Sequence, residues 1–590
     1  MRFRMGWMLL GAFAAVLPCS RAFGLERSNP ACPGETVLYD PGNGEDIFVP
    51  EGFQVSVFAK DLNFPTGIAF LGNKNDFRVL VVESGTGLPS RCNDRRAPVF
   101  GGPFSPTNPF TPDLLVFDKN GHQVAGPIGK PTSPGDGFQA DGPAIGLAFE
   151  HGFQGGTLFG TDSNQGVRGA PGTGNNTSRV VTIDLATGAV TPFIEGLPTG
   201  DHPTELIIVK DGFIYWSQGS ATNSGVTGHD NGGGGNQHDI ACQDIVLSGN
   251  VWDSGDGHFT SGYSNHGVAR PGARVPAFED ATSRGMCTGA ILRAPIHARN
   301  PQAAVEPFSW GYRNPFGLRF APEDHALKGG LFVTENGEDE RGARPTNNAP
   351  DRLQLARQNP DGSPDFHGWP DRFGFLDSTQ AIFNPLGGPG DDLQPAARVI
   401  AEDRPVRPVL DHFPQAVTAP LAIEPTDVAV VGPDFAPDSF VGGPVKRGAA
   451  LVAREGDFGF SPENGEPEAG HDIELVNFSR PSEPLTLSTS RFAFNCKAEN
   501  RARDAAGTLV CAEPEDQAFV ASTAERIVRG INRPLQVQFG PDGALYLVDY
   551  GAVRDFGQSD PRSRFTNPAD APLVQIPNTG VIWKITRKGR

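Results

Sequence analysis

One short pattern recurs along the chain: a proline, a glycine or polar residue two positions on, then three residues whose outer two are apolar. It reads Pro65-Thr-Gly-Ile-Ala-Phe70, Pro203-Thr-Glu-Leu-Ile-Ile208, Pro315-Phe-Gly-Leu-Arg-Phe320, Pro425-Thr-Asp-Val-Ala-Val430 and Pro534-Leu-Gln-Val-Gln-Phe539. A sixth copy, Pro143 to Phe149, carries one extra residue. Each copy is followed by a short loop and a second β-rich run, at 79–84, 157–162, 213–218, 331–336, 450–455 and 545–550. A strand, a turn and a second strand form a hairpin that cannot bury both faces alone. Six such hairpins arranged radially can, so the repeat predicts an all-β fold, a six-bladed β-propeller. Stretches such as 180–184, 190–194 and 290–294 supply outer strands. The copies start roughly 60 to 110 residues apart, against about 40 to 50 for compact blades. Long loop insertions are therefore expected, near 220–285, 371–416 and 461–525. The closing segment 580–586 reads as a strand that joins the early one at 53–59.

Composition agrees with this reading and removes others. More than a fifth of the 590 residues are glycine (75) or proline (54), which are costly inside helices and common in turns. A helical bundle is excluded. Disorder is countered by 38% hydrophobic residues and 41 phenylalanines, enough apolar material for a core. The formal charge of -19 excludes a nucleic-acid or anionic-membrane partner, because both need a basic face. A small-molecule partner fits better.

Residues 1–24 read as a secretory signal, with Arg2 and Arg4, an apolar run from Trp7 to Leu17, and small residues at Ser20 and Ala22. Residues 25–590 then form one domain, and no later stretch is apolar and long enough to cross a bilayer. The expected location is secreted or periplasmic. Beyond the signal, Cys32, Cys92, Cys242, Cys287, Cys496 and Cys511 are even in number, which in an exported chain suggests disulfides. Sequence order favours Cys32 with Cys92, Cys242 with Cys287, and Cys496 with Cys511 among the connectivities open to them. None has CxxC spacing, so a cysteine-held metal or covalent haem is not expected.

Loops at one end of a propeller converge on its central channel, so polar residues just before the innermost strands are site candidates. Asp201 and His202 precede one repeat; Tyr312, Arg313 and Asn314 hold the same place before the next. A histidine beside a carboxylate can act as a general base near neutral pH. An arginine is a permanent cation that can meet a developing oxyanion. The run Thr334-Glu-Asn-Gly-Glu-Asp-Glu340, followed by Asp351, offers the oxygen ligands a hard cation such as Ca²⁺ wants, without EF-hand spacing. The Gly-rich stretch 230–236, followed by His238 and Asp239, lacks the Lys-Ser/Thr ending of a phosphate loop and reads as a flexible insertion.

At Gly311-Tyr-Arg-Asn-Pro-Phe-Gly-Leu-Arg-Phe320, Thr334-Glu-Asn-Gly337, Asp351-Arg-Leu-Gln354 and His367-Gly-Trp-Pro370, the chain resembles the glucose/sorbosone dehydrogenase family. These are calcium-dependent quinoproteins that use pyrroloquinoline quinone on a six-bladed propeller. The resemblance runs from about Gly52 to the C-terminus, with long insertions. It implies that His202 takes a proton from a sugar or hydrated aldehyde while hydride passes to the quinone, and that Asp201 orients the imidazole. It implies that Arg313 and Asn314 bind the quinone carbonyls and that Arg313 also stabilises charge on reduction. Gly337 and Glu338, through backbone carbonyls, and Asp351 would hold the calcium. Arg454 stands where the family has a lysine, and Arg533 matches one of two arginines whose other position is Leu535. The family's cofactor-contacting glutamine has no clear counterpart, Gln139 and Asp141 being nearest, and His367 replaces a calcium-binding tyrosine. The expected partners are a sugar substrate and a diffusible electron acceptor. Two further readings stand beside this one: a non-catalytic, calcium-stabilised propeller, and a metal-dependent hydrolase of the lactonase type.

Overall fold

The computed structural model describes residues 25–588 apart from 88–90, 165–176, 229–236, 254–256, 340–343, 345–348, 374–375, 378–406, 457–469, 513, 515–526 and 556–572. The expected signal, 1–24, lies outside the described residues. Among those described, every regular element is a β-strand or a 3-10 turn.

The strands gather into successive antiparallel sets of four. The first holds Pro65–Asn73, Asp76–Glu83, Asp113–Asp118 and Gln123–Ile128. The second holds Ala144–Phe149, Leu158–Asn164, Thr177–Ile183 and Val190–Pro198. The third runs Thr204–Lys210, Phe213–Gln218, Ala290–Pro295 and Glu306–Trp310, and the short Asp365–Phe366 joins its edge in parallel. The fourth has Asn314–Phe320, Leu331–Asn336, Arg352–Ala356 and Ala422–Ile423. The fifth has Val430–Phe435, Ala450–Arg454, Asp472–Phe478 and Leu487–Asn495. The sixth has Pro534–Phe539, Leu545–Asp549, Gly580–Arg587 and, outermost, Phe53–Leu62. Chain closure is thus made by the last strand pairing with an early one, as the sequence predicts. The first strand of each set touches the first strand of the next, and the sixth touches the first. A parallel bridge from Gly432 to Gln536 joins the fifth and sixth sets into one sheet.

Period-two side-chain alternation explains how the sets stack. In the first set Val79, Val81, Leu115 and Phe117 pack with Tyr546, Val548 and Ile582 of the sixth. Leu80, Val82, Leu114 and Val116 point the other way, onto Leu147, Leu158 and Val181 of the second. Both faces are buried, so the middle strands read as near-continuous apolar runs. The outermost strand Gln123–Ile128, by contrast, is almost wholly exposed.

The repeat has a backbone cause. Each inner strand carries a bulge at its start, between Pro65 and Gly67 in the first set and between Asn314 and Gly317 in the fourth. There the chains run so close that a Cβ on Gly67 would lie 2.0 Å from the Ile145 carbonyl oxygen, and one on Gly317 2.5 Å from that of Val431. A hydroxyl on the second strand bridges to the next set: Thr161 donates to Glu205 O at 2.7 Å, Ser217 to Phe316 O at 3.0 Å, and Thr334 to Val431 O at 2.9 Å.

One copy of the repeat is displaced. The sequence predicts the fifth inner strand at 425–430, but it is Val430–Phe435. Asp427 and Ala429 have φ of 60° and 49°, so 425–429 turns rather than extends. The matching signal is Gly432 three residues before Phe435, in the spacing of Gly67 and Phe70; proline is the less faithful marker.

The expected disulfides are all present: Cys32–Cys92, Cys242–Cys287 and Cys496–Cys511. Three of them point to an oxidising, extracellular compartment. No helix among the described residues is long and apolar enough to cross a membrane. Stretch 230–236 lies outside the described residues, but its neighbour Asp239 is buried and accepts from Ala221 N (2.7 Å), Thr222 Oγ1 (2.5 Å) and Thr288 Oγ1 (2.8 Å). This part of the 220–285 insertion is core, tying residues 221–228 down beside the inner strands.

Candidate functional site

Backbone contacts fix the loop that carries the histidine. Asp201 N donates to Ala221 O at 3.0 Å and His202 N to Ser220 O at 3.1 Å. Thr199 Oγ1 donates to His202 O at 2.8 Å. The third inner strand begins two residues later. In the next set Ser220 N donates to Arg313 O at 2.8 Å, which ties the two strand starts together.

Asp201 is the hub. Its Oδ2 lies 3.2 Å from His202 Nδ1 and 3.4 Å from Arg313 Nη2. The carboxylate is 1% exposed at its side chain, the arginine 4% and the imidazole 17%. His202 is thus the member of the trio nearest solvent. Arg313 Nη2 also meets Asp339 Oδ2 at 2.7 Å, and Asp339's backbone exchanges two hydrogen bonds with the Asn223 amide, at 2.9 and 3.0 Å. Beneath, Arg313 N donates to Glu335 Oε1 at 2.9 Å. Arg313 Nε and Asn314 Oδ1 are buried and have no hydrogen-bond partner among the described residues, while Asn314 Nδ2 donates to Asn336 Oδ1 at 2.9 Å.

The residues expected to hold a metal are adjacent. Gly337 N donates to Asp351 Oδ1 at 2.8 Å and Val430 N to its Oδ2 at 3.1 Å. Burial pushes the Asp351 carboxyl up to about 7 in spite of these donors and of nearby Arg313. The Glu338 carbonyl accepts from Ala349 N at 2.8 Å. Its carboxylate is fully buried, and among the described residues neither oxygen has a hydrogen-bond partner and the ion-pair neighbour is Arg344 Nη1 at 3.9 Å. Burial pushes it up to about 8, with Arg344 and Arg313 opposing. Arg344 itself is spent elsewhere, on Asp371 Oδ1 (2.7 Å), Pro370 O (2.8 Å) and Ser224 O (3.0 Å). An unsatisfied buried carboxylate is costly, and a hard cation would satisfy it. The spare donor here is therefore the Glu338 side chain, whereas the sequence pointed to its carbonyl. No cluster of three or more His, Cys, Asp and Glu side chains suited to a metal occurs among the described residues.

The remaining cations are already engaged. Arg454 makes a bidentate pair with Asp472 at 2.7 Å and lies 3.5 Å from both Glu474 and Glu424. Burial alone would lower its pKa, but Asp472, then Glu474 and Glu424, hold it above the ordinary arginine value. Arg533 donates from Nη1 to Gly456 O at 3.3 Å and lowers the Glu455 carboxyl that burial raises. His367 is fully buried, 3.1 Å from both Gln354 and Asp365 and stacked on Tyr312 at 4.5 Å. Gln139 donates to Asp162 O at 3.2 Å and Asp141 pairs with Arg95 at 2.7 Å.

The structure thus brings His202, Asp201, Arg313, Asn314, Gly337, Glu338 and Asp351 to neighbouring starts of the third and fourth inner strands. Arg454 and Arg533 hold the corresponding places in the fifth and sixth sets. Sequence reasoning missed Asp339, Asn223 and Arg344. Asp339 sat unremarked within the acidic run, and Asn223 carries no local signal because its partner is more than a hundred residues away.

No family model matches this chain, and no curated protein does. Among solved structures it is similar to a Trichoderma reesei carbohydrate-active enzyme of family AA12, at 13% identity and TM-score 0.47, covering 94% of this chain and 99% of that one. A glucose dehydrogenase gives 12% and 0.36, with 90% and 98% covered. A Xanthomonas campestris gluconolactonase gives 9% and 0.30, with 91% and 90% covered. Identities and scores this low assign neither family nor activity.

Proposed function

We propose that the chain is an exported oxidoreductase on a six-bladed β-propeller, oxidising an aldose or related aldehyde with pyrroloquinoline quinone and Ca²⁺ and passing electrons to a diffusible acceptor. The observation that carries this reading is the Asp201 carboxylate, one oxygen of which faces both an imidazole and a guanidinium at 3.2 and 3.4 Å. With Nδ1 turned to Asp201, His202 takes the anomeric hydroxyl proton at Nε2, and Asp201 compensates the imidazolium that forms. Arg313 carries a buried donor with spare capacity at the same place, its Nε–H, fitted to a carbonyl oxygen of a planar acceptor, while the spare atom of Asn314 beside it is the acceptor Oδ1. Glu338 and Asp351 would hold the cation. The bound quinone supplies the hydride acceptor, and calcium makes it the better electrophile.

The non-catalytic reading keeps one specific support: Arg454, which would meet a cofactor carboxylate, has its charge cancelled by Asp472, Glu474 and Glu424. A single experiment separates the two. Protein mixed with pyrroloquinoline quinone and Ca²⁺ is expected to reduce a dye with an aldose. His202→Ala should lower that turnover by about 10²–10⁴ while cofactor absorbance still titrates to the same endpoint. Absence of dye reduction with every aldose tried sinks the enzyme; equal loss of turnover and binding in the variant sinks the role of His202.

A further inference from the structure

The inner strands have two ends, and only their starts carry the site above. At their far ends lies a cavity of about 710 Å³ whose wall takes one apolar residue or more from every set. Phe70, Phe149, Leu206, Leu318, Phe435 and Phe539, one from each, all line it and are all under a tenth exposed. Phe153 also lines it, on the 3-10 turn Gly152–Gln154, and is 39% exposed, edge-on to Phe70 at 6.1 Å. A large aromatic ring left in solvent at the mouth of an apolar cavity is a feature of binding surfaces.

The charges at this mouth do not balance. Asp542 is engaged by Lys584 at 2.7 Å and by the Tyr546 hydroxyl at 3.1 Å. Asp434 accepts from Phe539 N and Phe435 N, each at 2.8 Å, before it meets Arg319 at 2.8 Å. Lys74, exposed at the rim, has no carboxylate partner among the described residues. With Asp542 taken up by Lys584, the cavity wall carries two cations, Lys74 and Arg319, against one further carboxylate, Asp434, that backbone donors already satisfy. On a chain of net charge -19 this is a local reversal of sign.

We propose that this cavity is a second binding site, for a small amphipathic organic anion: a ring or short chain seated among the phenylalanines, with its one carboxylate or sulfonate in the field of the lining cations Lys74 and Arg319. The volume is within the range of small-molecule sites. The proposal is independent of the reaction at the other end.

The test uses 8-anilinonaphthalene-1-sulfonate with the full-length protein. Its fluorescence is expected to rise saturably with one site per chain, and phenylacetate should displace it at least tenfold better than the neutral phenylacetamide. Lys74→Glu and Phe153→Ala alter exposed side chains and leave the core untouched; each should weaken binding about tenfold, a loss of about 1.4 kcal/mol. Sugar-dependent dye reduction should be the same in both variants. Non-saturable fluorescence, equal displacement by acid and amide, or indifference to both substitutions overturns the proposal.

Discussion

Two arginines at opposite ends of one strand set the two ends of the channel against each other. Arg313 immediately precedes Asn314–Phe320, is 4% exposed at its side chain, and is held between Asp201 and Asp339. Arg319, near the end of the same strand, is 25% exposed and among the described residues pairs with Asp434 alone. The first sits where three loops fold over it; the second sits where an apolar wall opens to solvent. Strand position alone does not decide a charge's role. What decides it is whether neighbouring backbone has sealed it from water, because burial raises both the strength of a pair and the cost of breaking it.

The comparison breaks most sharply at Arg313. Replacing it with methionine keeps the volume but removes the buried guanidinium that faces both Asp201, 1% exposed, and Asp339. The expected cost is about 3–5 kcal/mol, read as a lowered midpoint of urea unfolding with an unchanged slope. Arg313→Lys should recover part of it. A methionine variant as stable as the parent would mean that the guanidinium does not hold the Asp201 hub together, and the polar end would lose its distinction.

Next in size is a pH effect on the insertion that backs the site. Burial raises the Asp239 carboxyl to about 6, against the hydroxyls of Thr222 and Thr288, the Ala221 N–H and the nearby His238. A carboxyl raised above its unfolded value of 3.8 favours the fold when protonated. Its contribution is thus complete below about pH 4 and is lost as pH rises through about 6, up to roughly 3 kcal/mol in all. Unfolding free energies of the parent between pH 4 and 7 should fall more steeply than those of Asp239→Asn. Parallel curves would show that the carboxyl ionises at its ordinary value. Asp162, which burial also raises to about 6 against Arg179, adds the same trend to both proteins and so cancels in the difference.

Much of this was legible in the residues. Pro65 to Phe70 and its relatives marked the inner strands because a close approach demands glycine or a bulge, and both leave a trace in sequence. The same logic misplaced the fifth strand. Proline at 425 begins a turn, while the true constraint lies at Gly432, packed against Gln536. Asp201, His202 and Arg313 were visible because strand starts face the channel. Asp339 over Arg313, Arg344 on Asp371 and Asn223 on Asp339 were not, since each contact depends on how separate long loops meet. The far cavity left no motif at all. Its phenylalanines occupy the apolar places of the repeat and look like ordinary core until the ring shows that their strand ends converge.

The smallest expected effect completes the comparison. Arg319→Gln removes a cation whose side chain is a quarter exposed, and Asp434 keeps its bonds from Phe435 N and Phe539 N. Solvent screens the pair and two donors still satisfy the carboxylate, so the cost in stability should be under about 1 kcal/mol. The same variant should nevertheless weaken sulfonate binding, since it removes one of the two cations at that mouth. Stability lost on the scale expected for Arg313 would place Arg319 in the structural class and make the two ends alike. Stability unchanged with binding reduced would show that the strand carries one arginine to hold the fold and one to meet a ligand.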